Sequence, residues 1–279
     1  MTVAPAQETN TSNSYEIAYE PNLVPPLSLM ATEGITVLED WFRWGEEWSM
    51  ILRMYGAMNI NSSVLEIGCG LGRIAFPLRY LLLKGSYEGF DVVQEKIDFL
   101  ARHFQPAHPN FRFTWANVRN AEYNPTGATM AADFRFPYPR SSFDLIFAAS
   151  LFTHLLPDAI ANYFQQAARV LKPGGRCVFS FFLLDYYRPG QPRPSVFGKL
   201  HFNFSHPYIG YDNTFASANA DMPEQVTACR LSLIEQLAAD AGLVLAQAPV
   251  PGLWSGSFDH WICAQDLVVL QKPKLLLES

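Results

Sequence analysis

Apolar positions along this chain fall into blocks of two periods. "SVLEIG", "SYEGFD", "FRFTWA", "FDLIFAAS" and "RCVFSFFLL" are short runs of strand length. Between them, "RIAFPLRYLLLKG", "VQEKIDFLARHF" and "DAIANYFQQAARVL" read as helices, with Pro77 near the first turn of the first. Ile97, Leu100 and Phe104 share one face of the second; Ile160, Phe164, Ala167 and Leu171 share one face of the third. Such alternation predicts an α/β fold with a parallel sheet covered by helices on both faces, because each parallel pair of strands needs a crossover. "CRLSLIEQLAADAG" predicts a further helix ended by Gly242, and "LVLAQA" and "QDLVVLQK" predict two closing strands.

Three stretches depart from that rhythm. Residues 1–20 are polar and aperiodic and predict a flexible tail able to order over a ligand. Residues 21–60 predict an N-terminal helical cap: an extended lead-in, "PNLVPPLSLM", then a helix from Gly34 to about Met58. Trp41, Trp44 and Trp48 stand on one face of that helix, either packed on the core or, for Trp44 above all, walling a substrate pocket. Residues 61–279 form the main domain, within which 185–226 are rich in Pro, Gly, Asn and aromatic residues. So long a connection after a core strand predicts a lid at the strands' carboxyl edge, where ligands bind in open α/β sheets.

Composition narrows the function classes. The 279 residues are 49% hydrophobic and 16% charged, enough for a sizeable core. A net charge of -6 without a lysine or arginine cluster gives no reason to expect nucleic acid as a partner. The first residues lack the basic and apolar regions of a secretory signal, and no apolar run reaches the ~18 residues of a membrane span. Cys69, Cys177, Cys229 and Cys263 form no CxxC pair and predict buried free thiols in a reducing, cytoplasmic setting. Nothing in the chain sets an oligomeric state.

The candidate chemistry begins at "VLEIGCGLGR", Val64 to Arg73. Gly68, Gly70 and Gly72 make G-x-G-x-G where a strand passes into a helix. Bare backbone there lets a ligand approach closely, and the free amides favour an electron-rich group. The dinucleotide fingerprint is G-x-G-x-x-G; the third glycine here comes one residue early, which disfavours a nicotinamide cofactor. Asp91 ends the next strand at the distance where a carboxylate grips ribose hydroxyls.

With "YEGFD", "RFPYPRSSFDLIFAASLFTHLLPD", "RVLKPGGRCVFSFF" and "QDLVVLQK" in the same order, the sequence resembles the class I S-adenosylmethionine-dependent methyltransferases over roughly residues 60 to 272. Within that family it is most like bacterial small-molecule methyltransferases, including natural-product tailoring enzymes. The resemblance implies a Rossmann-like sheet of seven strands, the last antiparallel, with S-adenosyl-L-methionine as cofactor. It places Glu66 near the methionine end, the backbone of Gly68, Cys69 and Gly70 beneath it, and Ser150 and Leu151 along it. Asp91 would hold the ribose, and Val92 and Val118 would touch adenine. Asn117 stands where many relatives have aspartate, and its amide can still meet the adenine edge. Arg73 reaches either the cofactor carboxylate or solvent.

Methyl transfer needs in-line approach and exclusion of water more than covalent help from the protein. An alcohol acceptor gains from a base, an amine only from arriving neutral. His154, after the fourth strand, is the first candidate base, followed by Asp185 beyond the fifth strand, then His206 and His201; His260 is read as structural. The fourth strand ends "FAAS" without a carboxylate, so no metal site is expected. The aromatic insertion, with Tyr186, Tyr187, Phe197, Phe202, Phe204, Tyr208 and Tyr211, suits a small, fairly hydrophobic acceptor. The leading expectation is therefore metal-independent O-methylation of a small molecule. The alternatives are N- or C-methylation, or a protein that binds the cofactor without transferring its methyl.

Overall fold

The apolar runs assemble into one seven-stranded sheet in a computed structural model that describes residues 20–189, 202–211 and 213–274. Its strands are β1 (Ser63–Ile67), β2 (Ser86–Asp91), β3 (Phe111–Trp115), β4 (Phe143–Ala148), β5 (Leu171–Phe181), β6 (Val244–Leu245) and β7 (Asp266–Gln271). The order across the sheet is β3-β2-β1-β4-β5-β7-β6. β1 to β5 run parallel; β7 enters antiparallel between β5 and β6. The switch point lies beside β1, where the order turns outward in both directions, and the open crevice of such a sheet forms there.

Helices cover both faces. α1 (Leu38–Met54) and α2 (Gln94–Ala107) lie on one, α3 (Pro157–Val170) and α4 (Leu231–Asp240) on the other. Successive strand residues alternate between the two cores: Leu145 and Phe147 face α1 and α2, while Ile146 faces α3. Each such fully buried side chain contributes roughly 1.5–3 kcal/mol of transfer free energy.

The N-terminal segment is tied to the sheet more closely than its amphipathic pattern alone implies. A short helix, Leu27–Met30, and a 3-10 turn, Ala31–Glu33, end at Gly34 and precede α1. α1 is shorter than predicted, because Val37 is extended and the helix stops at Tyr55 before Gly56. Trp41 and Trp48 are buried in the core and Trp44 is half-buried. Gly45, in the middle of α1, lies against the Arg73 carbonyl so closely that any side chain there would collide with it.

The helix predicted after the glycine turn is reduced to Ala75–Leu78. Pro77 has no N–H to give, and the chain continues in tight turns: Tyr80 N–H bonds the Pro77 carbonyl at 3.2 Å and Leu81 N–H the Leu78 carbonyl at 2.9 Å.

Within 185–226 the described residues form a small antiparallel sheet, His206–Pro207 and Phe215–Ser217 with Thr227–Cys229. It hangs from the end of β5, where Leu184 N–H bonds the Cys229 carbonyl at 2.8 Å and Cys229 N–H the Phe182 carbonyl at 3.0 Å. Phe182, Phe204 and Trp254 pack together there with Tyr187 and Phe202. Of the predicted tail over 1–20, residues 1–19, together with Phe197 and His201, lie outside the described residues, while Glu20 pairs with Arg79 at 2.8 Å. No helix among the described residues is long and apolar enough to cross a membrane. All four cysteines are buried and unpaired.

One buried carboxylate fastens the C-terminal half of the sheet. Asp266, at the start of β7, accepts hydrogen bonds from Leu183 N at 2.8 Å, Gly252 N at 2.7 Å and Trp254 Nε1 at 2.6 Å. Burial outweighs these donors and pushes its carboxyl up to about 7.

Candidate active site

The glycine turn is shaped by positive φ at Gly68 (75°), Gly70 (51°) and Gly72 (75°), a region that favours glycine. The amides of Gly68 and Cys69 both donate to the Phe90 carbonyl, at 2.9 and 3.0 Å. The Gly70 amide donates to Asp91 Oδ2 at 2.8 Å, and the Val93 amide to Asp91 Oδ1 at 2.9 Å. Asp91 thus locks the turn to the end of β2 and keeps one further acceptor site on each oxygen. Gly72 points away and packs on α2, where a side chain would meet Leu100 Cδ2 at 2.7 Å.

These elements open onto a cavity of about 470 Å3, within the range of small-molecule and cofactor sites. Glu66, Gly68, Cys69, Gly70, Arg73, Asp91, Val92, Val118, Ser150, Leu151, His154 and Tyr208 all line it. Glu66 is wholly buried, accepts a hydrogen bond from Tyr87 Oη, and is pushed by burial up to about 8. Burial also raises Asp91, against the pull of Lys96 and of its two amide donors.

Ser150 sits at φ 63°, left-handed for a residue with a side chain. Its amide donates to Ser180 Oγ at 2.7 Å, and Gln265 Nε2 donates to Ser150 Oγ at 2.9 Å. Ser180 Oγ in turn donates to Gln265 Oε1 at 2.6 Å. This triangle fixes the loop after β4 and sets Leu151 against Gly68, at 3.2 Å from where a Cβ would lie.

His154 ends the 3-10 turn Phe152–His154, clamped by Thr227, just past the insertion, whose Oγ1 lies within donating distance of the Phe152 carbonyl at 3.2 Å and that of Leu155 at 3.3 Å. Its ring meets Tyr123 edge-on at 6.0 Å. Its Nδ1 is buried with no hydrogen-bond partner among the described residues, and burial lowers its pKa. Burial outweighs the opposing pull of the Gln225 and Glu224 backbone, which leaves a neutral imidazole on a residue that lines the same cavity as the glycine turn.

Several sequence candidates are placed elsewhere. Asp185 Oδ2 accepts the Leu231 amide at 2.8 Å and so caps α4, engaged away from the cavity. His206 is exposed and lines a separate, open cavity with His154, Glu122 and Asp221. Trp44 does not line the main cavity; its ring lies 5.7 Å from the Arg73 guanidinium and backs that residue from outside. Tyr186 packs on Phe258 at 4.7 Å, and Tyr187 belongs to the aromatic cluster at the end of β5, so neither reaches the cavity. Asn117 Oδ1 accepts from Ala128 N at 3.3 Å and Asn124 Nδ2 at 3.4 Å, which holds its own loop rather than facing the cavity.

The cavity also recruits residues that the sequence reading passed over: Glu33, Lys96, Asn120, Tyr123 and Glu224. Lys96 carried a readable signal. It stands four residues before Leu100 and eight before Phe104, on the apolar face of α2, where a lysine needs a partner. Glu33 carried none, being 38 residues from the turn it touches.

Comparison with known proteins bears directly on this arrangement. A family model described as a methyltransferase domain matches residues 64–175, from β1 through the start of β5. Residues 64–175 are thus similar to a methyltransferase domain. The 27-O-demethylrifamycin SV methyltransferase of Amycolatopsis mediterranei is 31% identical over 137 residues, 47% of this chain and 43% of that protein. The similarity therefore spans less than half of that relative's length. Among solved structures, the CcbJ methyltransferase from Streptomyces caelestis superposes with a TM-score of 0.52 at 20% identity, over 82% of this chain and 89% of that one. The [4+2]-cyclase SpnF shares the fold with a TM-score of 0.50 at 12% identity, over 83% and 81% of the two chains. At such identities both likenesses concern the fold alone. Most of the cavity wall, from the glycine turn to Tyr163, falls inside the matched residues, while Glu33, Tyr208 and Glu224 reach it from outside them.

Proposed function

We propose that the protein transfers a methyl group from S-adenosyl-L-methionine to a small, fairly hydrophobic hydroxyl-bearing acceptor, with His154 as general base. The observation that carries this reading is the place of His154, a neutral imidazole whose Nδ1 has no hydrogen-bond partner among the described residues, in the lining of the same cavity as the glycine turn and Asp91. The cofactor, when bound, supplies an electrophilic methyl on a sulfonium. The fit rests on the left-handed turn at Gly68 and Gly70, on the free acceptor sites of Asp91, and on Glu66 and Arg73, which line the same cavity. Leu151, Leu155, Leu156 and Ala159 line the acceptor end and exclude water, while His154 withdraws the hydroxyl proton as the oxygen becomes nucleophilic. Asp185 and His206 take no part in this reading.

The test is twofold. S-adenosylhomocysteine titrated calorimetrically should bind, and a radiolabelled methyl donor with a panel of phenols, alcohols and amines should label a hydroxyl compound. Binding without labelling of any acceptor would favour a cofactor-binding protein that transfers nothing.

An amine acceptor is the second reading, favoured by one observation: Asp158 and Glu224 line the same cavity, and carboxylates attract a cationic nitrogen. Labelling of amines alone would select it.

The buried Glu66 yields a further expectation. With its carboxyl near 8 in the free protein, it is protonated at neutral pH. An ammonium group placed beside it lowers that value, so S-adenosylhomocysteine binding at pH 7 should release a proton, and affinity should rise with pH up to about 8. Calorimetry in two buffers of different ionisation enthalpy measures the release; Glu66→Gln should abolish it.

A further inference from the structure

The glycine turn has an occupant that comes from outside the residues matched to a methyltransferase domain. Glu33, at the end of the 3-10 turn Ala31–Glu33, reaches over Gly70. Its Oε1 accepts the Leu71 amide at 2.9 Å and pairs with Lys96 Nζ at 3.0 Å. A Cβ at Gly70 would collide with that same oxygen, so glycine there makes room for Glu33. The pair is sheltered, with side-chain exposures of 13% for Glu33 and 6% for Lys96. Both residues line the cavity on the Asp91 side, with Tyr123, whose ring lies 5.7 Å from the lysine ammonium.

The position decides what the pair can recognise. Asp91 has spent one acceptor site of each oxygen on an amide and keeps one on each, a single bond apiece for the two hydroxyls of a vicinal diol. A second carboxylate beside it adds a further acceptor to that side of the cavity. Lys96 neutralises that carboxylate, so a cationic ligand group gains little there, whereas a neutral hydroxyl finds a fixed acceptor. The other carboxylate of the turn, Glu66, lines the same cavity with Arg73, whose charge lowers its pKa while those of Glu33 and Asp91 raise it.

We propose that Glu33, oriented by Lys96, is a second sugar-binding carboxylate that works beside Asp91 on the ribose hydroxyls of the cofactor. This rests on the cofactor reading above. It makes the N-terminal segment part of the nucleoside site, with Lys96 as a positioning residue.

A cycle between side chain and ligand hydroxyls tests it. Wild type, Glu33→Gln and Lys96→Met are titrated calorimetrically with 5'-methylthioadenosine and with its 2',3'-dideoxy counterpart. Circular dichroism and thermal unfolding confirm that each variant is folded. For the hydroxyl-bearing ligand each variant should bind about tenfold more weakly, the scale of one hydrogen bond to a charged group. For the dideoxy ligand the same variants should match wild type. Equal losses with both ligands would show a purely structural role and overturn the proposal, as would tighter binding by Glu33→Gln, which would mean that the carboxylate competes with the ligand. Wild type binding neither nucleoside, nor S-adenosylhomocysteine, would overturn this proposal together with the cofactor reading. Wild type binding S-adenosylhomocysteine with no preference for the hydroxyls would overturn this proposal alone.

Discussion

Replacing His154 by glutamine should lower kcat about a hundredfold or more, the usual worth of a positioned general base, while leaving S-adenosylhomocysteine affinity close to that of wild type. The split follows from the geometry. His154 lies on the turn after β4 and contributes no anchor to Asp91, Glu66 or the glycine turn, so cofactor contacts survive its loss. Glutamine keeps a polar side chain of similar reach and cannot accept a proton. The pH profile adds a second readout. Burial lowers the His154 pKa, so in wild type kcat/KM should reach its plateau at a pH below the ordinary imidazole range, and the variant should lack that limb. An amine acceptor predicts something else: a limb at the amine's own pKa that persists in the variant. Full turnover in His154→Gln with a hydroxyl acceptor would remove the base from the mechanism.

Replacing Asp266 by alanine should destabilise the fold by about 3–5 kcal/mol, since it leaves three buried donors without an acceptor. The donors belong to two separate pieces of chain: Leu183 in the extension of β5, and Gly252 with the indole of Trp254 in the turn before β7. The loss is therefore distributed over the junction between β5, β7 and the aromatic cluster. Urea unfolding should show a lower midpoint, with the slope unchanged if only stability is altered. Asp266→Asn should fall between, because its one carbonyl oxygen can serve the Leu183 and Trp254 donors that share Oδ2, while its NH2 faces the Gly252 amide. A midpoint equal to that of wild type in Asp266→Ala would show that water or a local shift satisfies the donors.

What the sequence disclosed, it disclosed through local periodicity. The strands and the amphipathic helices were legible because each buries a face that repeats every second or every third to fourth residue. The glycine turn was legible because only glycine accepts its backbone angles at small cost, and Asp91 because it ends a strand at a fixed distance from that turn. Non-local partnerships were not legible. The carboxylate of Asp185 looks like a candidate base, yet its oxygen is committed to the amide of Leu231, 46 residues later. The tyrosines of the insertion look alike in sequence; Tyr208 lines the cavity, whereas Tyr187 packs in the cluster around Trp254. Trp44 shares a helical face with Trp41 and Trp48, but its indole meets Arg73 instead of a ligand. Glu33 reaches the site from an element with no periodic tie to it, brought there by the packing of Leu23, Met30 and Ile35 on the core and by its bonds to Leu71 and Lys96.

The bond from Gln265 to Ser150 spans 115 residues and closes only when β7 has threaded between β5 and β6. Helical content can therefore return early in refolding, whereas the backbone of Ser150, costly to hold in its left-handed well, must wait for the last strand to arrive. Competence to hold a ligand should lag behind the far-ultraviolet signal, and any chain that stalls before that insertion would carry a familiar silhouette around an unfinished receptacle.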